Sequence, residues 1–507
     1  MMTGRTNGQG TEKRSSWDWF RRLMLWVPER SACLAIGALL TAGFFVYSLR
    51  ASSELVGAQV IAAIAALSFA ALLLEGWNAA KGKPLVLLLM TALLFMLGIG
   101  AHLSLMKISP GRMKNVLRPM LDGMWNYDLR VAMAWEPDSW SGGYLVFMAL
   151  ISRLETFPPL YAVKLFDLFS LSMAAVALSR LATARGAGSM GRIAVAAFCL
   201  LLPTALMNAG LWAQCDAVFA AFSLWGLVFL FDDHPLAGCT FFGAALAFKL
   251  QSAFLFPLLL VLFFAKRVRL RHIAALALVF LVFHLPMLLE GQGLSSVLGR
   301  YERQIRVTAY GEETEEAEET DEDAAWFDEA LEEGEEAAEE EPEALPTHEG
   351  LADHAASVYS LMTVASVREF SGMGLYLSIA AVLIVVFALL RARVPLTADV
   401  FLTAAMLLSC GLPLILPQMN ARMLFLAGLI SLARLNSPLR AVQAALLETV
   451  SLCCYIEAVF SSDALKATVL PMSFVSLIAI AVACSVAWEL FASITNQDPR
   501  GVPHEPV

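Results

Sequence analysis

The chain has 507 residues, 58% of them apolar, with 35 Lys and Arg against 45 Asp and Glu for a formal net charge of −10 and a mean hydropathy of +0.67. Apolar runs recur from end to end, which excludes a soluble globular domain, gives no reason to expect a nucleic-acid partner, and points to a polytopic helical membrane protein. The acidity is local: residues 312–343 hold 19 acids and no base, leaving 26 acids against 35 bases elsewhere, a balance of +9.

A helix needs roughly 20 apolar residues to cross the hydrocarbon core. Residues 1–30 are polar and basic, so no cleavable signal peptide is expected and the first span, near 31–49, acts as its own anchor. Further spans are predicted near 54–76, 84–106, 158–182, 190–211, 213–231, 272–290, 373–391, 398–417, 437–460 and 468–492. Residues 235–265 are long enough for two short spans hinged near Lys249 and Gln251, and 420–434 for barely one. The expected fold class is therefore an all-α polytopic membrane protein of about 14 transmembrane segments. Its parts are an N-terminal segment 1–30, a transmembrane core 31–290 with a large loop 107–157, a loop 291–372, C-terminal spans 373–492 and a tail 493–507.

Lys and Arg collect in 1–30, 77–83, 180–192, 266–271, 391–393 and 434–440, which fall on one face when every span is counted. The positive-inside rule makes that face, with both termini, cytoplasmic. Loops 107–157 and 291–372 and the turns 208–216 and 417–422 then lie outside. Loop 107–157 is rich in aromatics (Trp125, Tyr127, Trp135, Trp140, Tyr144), and Gly142–Leu154 is too short to span. Two readings stay open for it: helices lying in or re-entering the interface, or an ordinary outer loop with a belt of Trp. The acidic run 312–343 should repel itself and remain without a core, either as a solvated insertion or as a docking tail for a partner protein through Trp326 and Phe327. The eight cysteines are scattered, and neither they nor His102, His284 and His354 have metal-ligand spacing, so no metal is assigned.

Asp216 opens an apolar segment long enough to cross a bilayer, with Trp212 and Gln214 just before it. An acid there is costly and is a site candidate by default, unless it lies just outside the hydrocarbon and is simply hydrated. Three other segments share its predicted face. Pro158-Pro159-Leu160-Tyr161 is followed by Lys164; Phe248-Lys249-Leu250-Gln251-Ser252 runs on to Pro257; and Leu416-Pro417-Gln418-Met419-Asn420-Ala421-Arg422 follows a span. With Leu211-Trp212-Ala213-Gln214-Cys215-Asp216-Ala217, these resemble, in order, motifs of the polytopic glycosyltransferases of the GT-C class. The nearest likeness is to bacterial relatives of the mannosyltransferase that adds the second mannose to GPI anchors: W-G-Q-x-D-S, F-K-x-Q-x(5)-P and P-x-M-H-E-R.

The resemblance covers roughly 84–434. It implies a GT-C-like bundle with interfacial outer-loop helices, a lipid-linked (polyprenyl-phosphate) sugar donor, and a bacterial plasma membrane with the site facing outside. Two departures bear on activity. The family's acceptor-activating aspartate in the first outer loop aligns with Arg112, and the His and Glu of M-H-E-R are Asn420 and Ala421 here.

Sugar transfer from a polyprenyl phosphate requires a carboxylate as general base, cations for the departing phosphate, and a groove for the lipid. Asp216, Asp122 or Asp128 are the candidate bases. Trp212, Gln214, Lys249, Gln251, Arg422 and Arg112 are the candidate substrate-binding residues, with Lys249 and Arg422 either facing phosphate or snorkelling to the interface. The sequence leaves any cofactor unassigned. A scaffold that keeps the GT-C shape and binds lipid-linked glycan or a partner is the alternative. A secondary transporter is the second alternative, although the two halves show no paired, interrupted spans.

The orientation has a direct test. Single cysteines replacing Ser295 and Arg267 in a Cys-free background should react with impermeant reagents from opposite sides of the membrane; labelling of both from one side would separate the proposed site residues from a common face.

Overall fold

The computed structural model describes residues 53–81, 83, 85–110, 117–134, 141–153, 157–310, 352–353, 355–362, 367–391, 397–460 and 469–495. The predicted first span, Arg112, and the acidic run with Trp326 and Phe327 lie outside the described residues. Apolar sequence with good helix formers yields long helices: α1 (Ser53–Ala80), α2 (Leu85–Ser104), α6 (Pro159–Ala184), α15 (Val367–Arg391), α16 (Ala398–Ile415), α18 (Pro438–Val459) and α19 (Met472–Thr495). These seven are long and apolar enough to cross a membrane, and an eighth is formed by α7 (Ser189–Leu201) with α8 (Pro203–Trp212), a pair bent by 44°. The chain is thus an all-α polytopic membrane protein; the only strand pairing described is the two-residue β1 (Ala352–Asp353) beside β2 (Met419–Asn420), in parallel.

Other segments expected to span form shorter helices: α9 (Asp216–Phe231), α10 (Pro235–Phe248), α11 (Phe256–Phe264), α12 (Leu270–Phe283) and α17 (Phe425–Ala433). At about 1.5 Å per residue, the 16 residues of α9 reach roughly 24 Å, short of the roughly 30 Å hydrocarbon core. The predicted hinge in 235–265 is present: α10 ends at Phe248 and a 3₁₀ segment, Leu250–Leu255, precedes α11.

Burial orders the bundle. The most apolar stretch of α6 is 78% buried against 28% for α1, α2 and α15, so α6 is central and the others present apolar faces to lipid. Helix α9 packs on α6 and α10, α10 on α12, and α16 on α19. A cluster of aromatic rings, Phe222 and Trp225 of α9 with Phe241 and Phe248 of α10 and Phe283 of α12, fills the seam. Small residues let backbones approach: a Cβ on Gly243 of α10 would collide with the Leu276 carbonyl oxygen of α12.

Helix ends near 180–192 and 434–440, the face read as cytoplasmic, are tied by ion pairs. Glu75 of α1 meets Arg192 at 2.6 Å and Arg180 at 3.7 Å. Arg440 of α18 grips Asp399 of α16 at 2.7 and 2.8 Å, while Arg434 reaches Glu489 of α19 at 2.6 Å. Such pairs fix which helix ends meet more than they add net stability, since desolvation offsets much of the attraction.

On the opposite side α3 (Arg118–Asn126), α4 (Leu129–Ala134) and α5 (Gly142–Ser152) come from loop 107–157. Helix α5 is mostly buried in protein: Gly142 packs against the His284 side chain, and Gly143 lies so close to the end of α10 that a Cβ on it would stand 2.6 Å from the Ala247 oxygen. Loop 291–372 contributes an amphipathic helix, α14 (Leu294–Tyr310). Its Arg300 donates to the carbonyls of Met133 and Ala134 at 3.2 and 3.1 Å, and burial draws that guanidinium down to about 10. The Tyr301 hydroxyl donates to the Ala247 carbonyl at 2.9 Å, satisfying one of the acceptors left open where α10 ends.

Gly243 gives a sign test of the tight α10–α12 seam. Gly243→Ala should destabilise the detergent-solubilised protein by about 1–3 kcal/mol through overpacking, whereas Gly100→Ala, whose Cβ meets nothing within 4 Å, should be neutral or slightly stabilising through helix propensity. Equal melting of the two variants would show that the seam is slack.

Candidate functional site: a buried ionic cluster at three helix interruptions

The chain is interrupted at three places, with Pro203, Pro257 and Pro417 nearby, and the interruptions bring polar residues to one place. Leu202 precedes Pro203 and takes an extended ψ of 132°, as a residue before proline prefers. Helix α8 then continues as a π-helical turn, Leu206–Trp212, and ends at Ala213 in the left-handed region with φ 53°. Asp216 follows as the first residue of α9, where the helix dipole favours a carboxylate. Lys249 is extended at the end of α10 (φ −159°, ψ 129°), and Pro257 stands in the first turn of α11, where proline is tolerated but would clash inside a continuous helix. Leu416, before Pro417, is extended and closes α16; Gln418 is left-handed at φ 56°, and the turn carries Arg422.

The Asp216 side chain is fully buried. One carboxylate oxygen is ion-paired with Lys249, and the other accepts from Asn208 Nδ2 at 2.6 Å and lies 4.0 Å from Arg422 Nη1. The Asn208 amide also donates to the Tyr455 hydroxyl at 2.7 Å, bringing in α18. Arg422 donates to Gln214 and places its guanidinium 5.1 Å from the centre of the Trp212 ring, which in turn packs edge-on to Tyr455. Lys249 lies 5.4 Å from the centre of the Phe219 ring. In so dry a setting Coulomb attraction is strong and an unpaired member is costly.

Of the residues expected from sequence, Asp216, Trp212, Gln214, Lys249 and Arg422 come together. Gln251 sits on the 3₁₀ segment with a buried Oε1 that has no hydrogen-bond partner, and it does not bond to the cluster. Asp122 is exposed and pairs with Arg118 of its own helix at 3.9 Å. Asp128 is exposed at the start of α4, where its carbonyl accepts from Ala132 N. Neither acid contacts the cluster, because loop 107–157 turns these side chains to its outer surface. Lys164 spends its ammonium on the carbonyls of Leu105, Met106 and Ile108.

Asn208, Tyr455 and Asp167 are members that the sequence reading missed. Asp167 of α6 is 1% exposed, has an Oδ2 with no hydrogen-bond partner, and lies within electrostatic reach of Asp216 and Lys164. An acid inside an apolar span was the available signal, the same one that marks Asp216. Among the described residues no group of three His, Cys, Asp or Glu could hold a metal ion.

Lys249 and Arg422 both face Asp216, Asp167 stands within electrostatic reach as a second acid, and Arg422 Nε and Asn208 Oδ1 are buried without partners. Such a centre can hold an anion. Asp216 can act as a base only if Lys249 or Arg422 lets go of it. Comparison with protein families found no family model that matches the chain, and comparison with curated proteins found no match.

The cluster predicts non-additive energetics. Asp216→Asn and Lys249→Met should each cost roughly 3 kcal/mol, since each strands a buried charge, and the double variant should recover more than about 1 kcal/mol of the summed loss. Chemical unfolding of the four proteins in detergent measures the cycle; additive losses would mean that the two groups do not interact.

Proposed function

We propose that the chain is a membrane glycosyltransferase of GT-C-like architecture. In this reading about 14 segments cross a bacterial plasma membrane, counting the short helices α9, α10, α11, α12 and α17 as crossings, with the site toward the outside. The donor is a polyprenyl-phosphate sugar. One observation carries the reading: Asp216, Lys249 and Arg422, from three separate motifs, converge at three helix interruptions. Lys249 and Arg422 would bind the donor phosphate, Arg422 through its fork and Lys249 as a point charge. Trp212 and Gln214 orient Arg422, so they support phosphate binding without touching the sugar themselves. Phosphate entry would draw the cations away from Asp216 and free it to take a proton from the acceptor hydroxyl.

A second reading is favoured by the complete burial and pairing of Asp216 together with the loss of the outer-loop acid at Arg112. A GT-C-like scaffold would bind lipid-linked glycan without transferring it.

The experiment is a binding and transfer assay on the purified protein with a short-chain polyprenyl phosphate and its mannosyl derivative. Wild type should bind the lipid phosphate, and Arg422→Gln should weaken binding roughly 10- to 100-fold, the worth of a charge-assisted hydrogen bond. Transfer of mannose to an added alcohol or glycan acceptor, lost in Arg422→Gln, supports the enzyme. Binding without transfer moves the conclusion to the scaffold. Absence of lipid-phosphate binding by wild type removes both and leaves the transporter.

A further inference from the structure

The turns joining α9 to α10 and α11 to α12 lie side by side around a cleft of about 750 Å³. Lys266, Arg267, Arg269 and Arg271 line it, with Asp233 as the acid on its wall. Asp233 pairs with Arg267 at 3.2 Å. Among the described residues Lys266, Arg269 and Arg271 have no acidic partner, although Arg271 Nε is held by His272 at 3.1 Å. Both turns are set by left-handed residues, Asp233 at φ 59° and Lys266 at φ 61°.

Topogenic cations need only be on one side of the membrane. Here four of them crowd into six residues, 266–271, and line one cleft with Asp233 and His234 of the other turn, and like charges so close repel. An anion between them removes that cost. The apolar rim narrows the choice of anion: Leu236 lines the cleft, Phe264 and Leu270 neighbour its basic residues in the chain, and the three are 54%, 57% and 72% exposed. A soluble phosphate would leave this apolar rim without purpose, while a lipid satisfies both parts at once.

We infer that this cleft is a binding site for an anionic phospholipid. Its phosphate lies among Lys266, Arg269 and Arg271, and its acyl chains run along Leu236, Phe264 and Leu270. Basic pockets between helix ends at a membrane surface are suited to such head groups. The site is on the face opposite the Asp216 cluster in the topology read above and does not depend on sugar transfer.

Delipidated full-length protein in detergent, titrated with phosphatidylglycerol, phosphatidylcholine of the same chains, or inorganic phosphate and read by native mass spectrometry, tests it. Phosphatidylglycerol should be retained about tenfold or more over phosphatidylcholine, the Arg269→Gln/Arg271→Gln variant should lose that preference, and Arg306→Gln on α14 should keep it. Retention by wild type should also fall as salt rises from about 0.05 to 0.5 M, which decides the matter if the double variant does not fold. Equal retention of the two lipids, an unchanged preference in the folded double variant, or salt-independent retention overturns the site. Displacement of the lipid by an equal concentration of inorganic phosphate assigns the cleft to a soluble anion and overturns the lipid.

Discussion

The fully buried carboxylate of Asp216 constrains everything around it. In a medium of low polarity it cannot stand without partners, and no single continuous helix could supply them all. Asn208 comes from the π turn that ends α8, Lys249 from the gap between α10 and the 3₁₀ segment, and Arg422 from the turn after α16. Each helix therefore stops where a straight one would run on: α8 at left-handed Ala213, α10 at extended Lys249 and α16 just before Pro417. Irregular backbone at such depth is tolerated where protein rather than lipid surrounds it, which accounts for the central burial of α6 and α16 beside lipid-facing α1, α2 and α15.

The two charged regions of the bundle differ in kind. The pairs around Glu75, Asp399 and Glu489 join helix ends, and several of their side chains keep contact with solvent, so they set register at modest net energy. The Asp216 cluster is enclosed, couples helices α8, α9, α10 and α18 with the turn after α16, and combines its ion pairs with two amide bonds from Asn208.

Much of the helix inventory was legible because apolar length and prolines act locally. The hinge at Lys249 and the ends of α6 and α18 follow the sequence pattern closely. What was not legible depends on tertiary contact. Gly142–Leu154 has the length and composition of an interfacial helix, and only the close approach of Gly143 to the Ala247 carbonyl shows why it is buried. Asp122 and Asp128 were as good candidates on paper as Asp216; side-chain direction in a loop has no periodic signature, and both face solvent. Asp167 carried the same signal as Asp216 and was passed over beside Lys164, while Tyr455 looks like one more aromatic in a span until Asn208 is seen to donate to it.

The short helices α9 and α10 have a consequence for how the protein is made. Neither is long enough to cross alone, and each brings an ionised side chain, Asp216 or Lys249, that hydrocarbon would reject in isolation. Their charges compensate each other, while Arg422, a further cation beside Asp216, is synthesised some 170 residues after Lys249. Insertion of this region is therefore favoured when α9 and α10 enter together as a hairpin joined through that ion pair, and the contact from Arg422 is added only after α16 and the turn after it have been made.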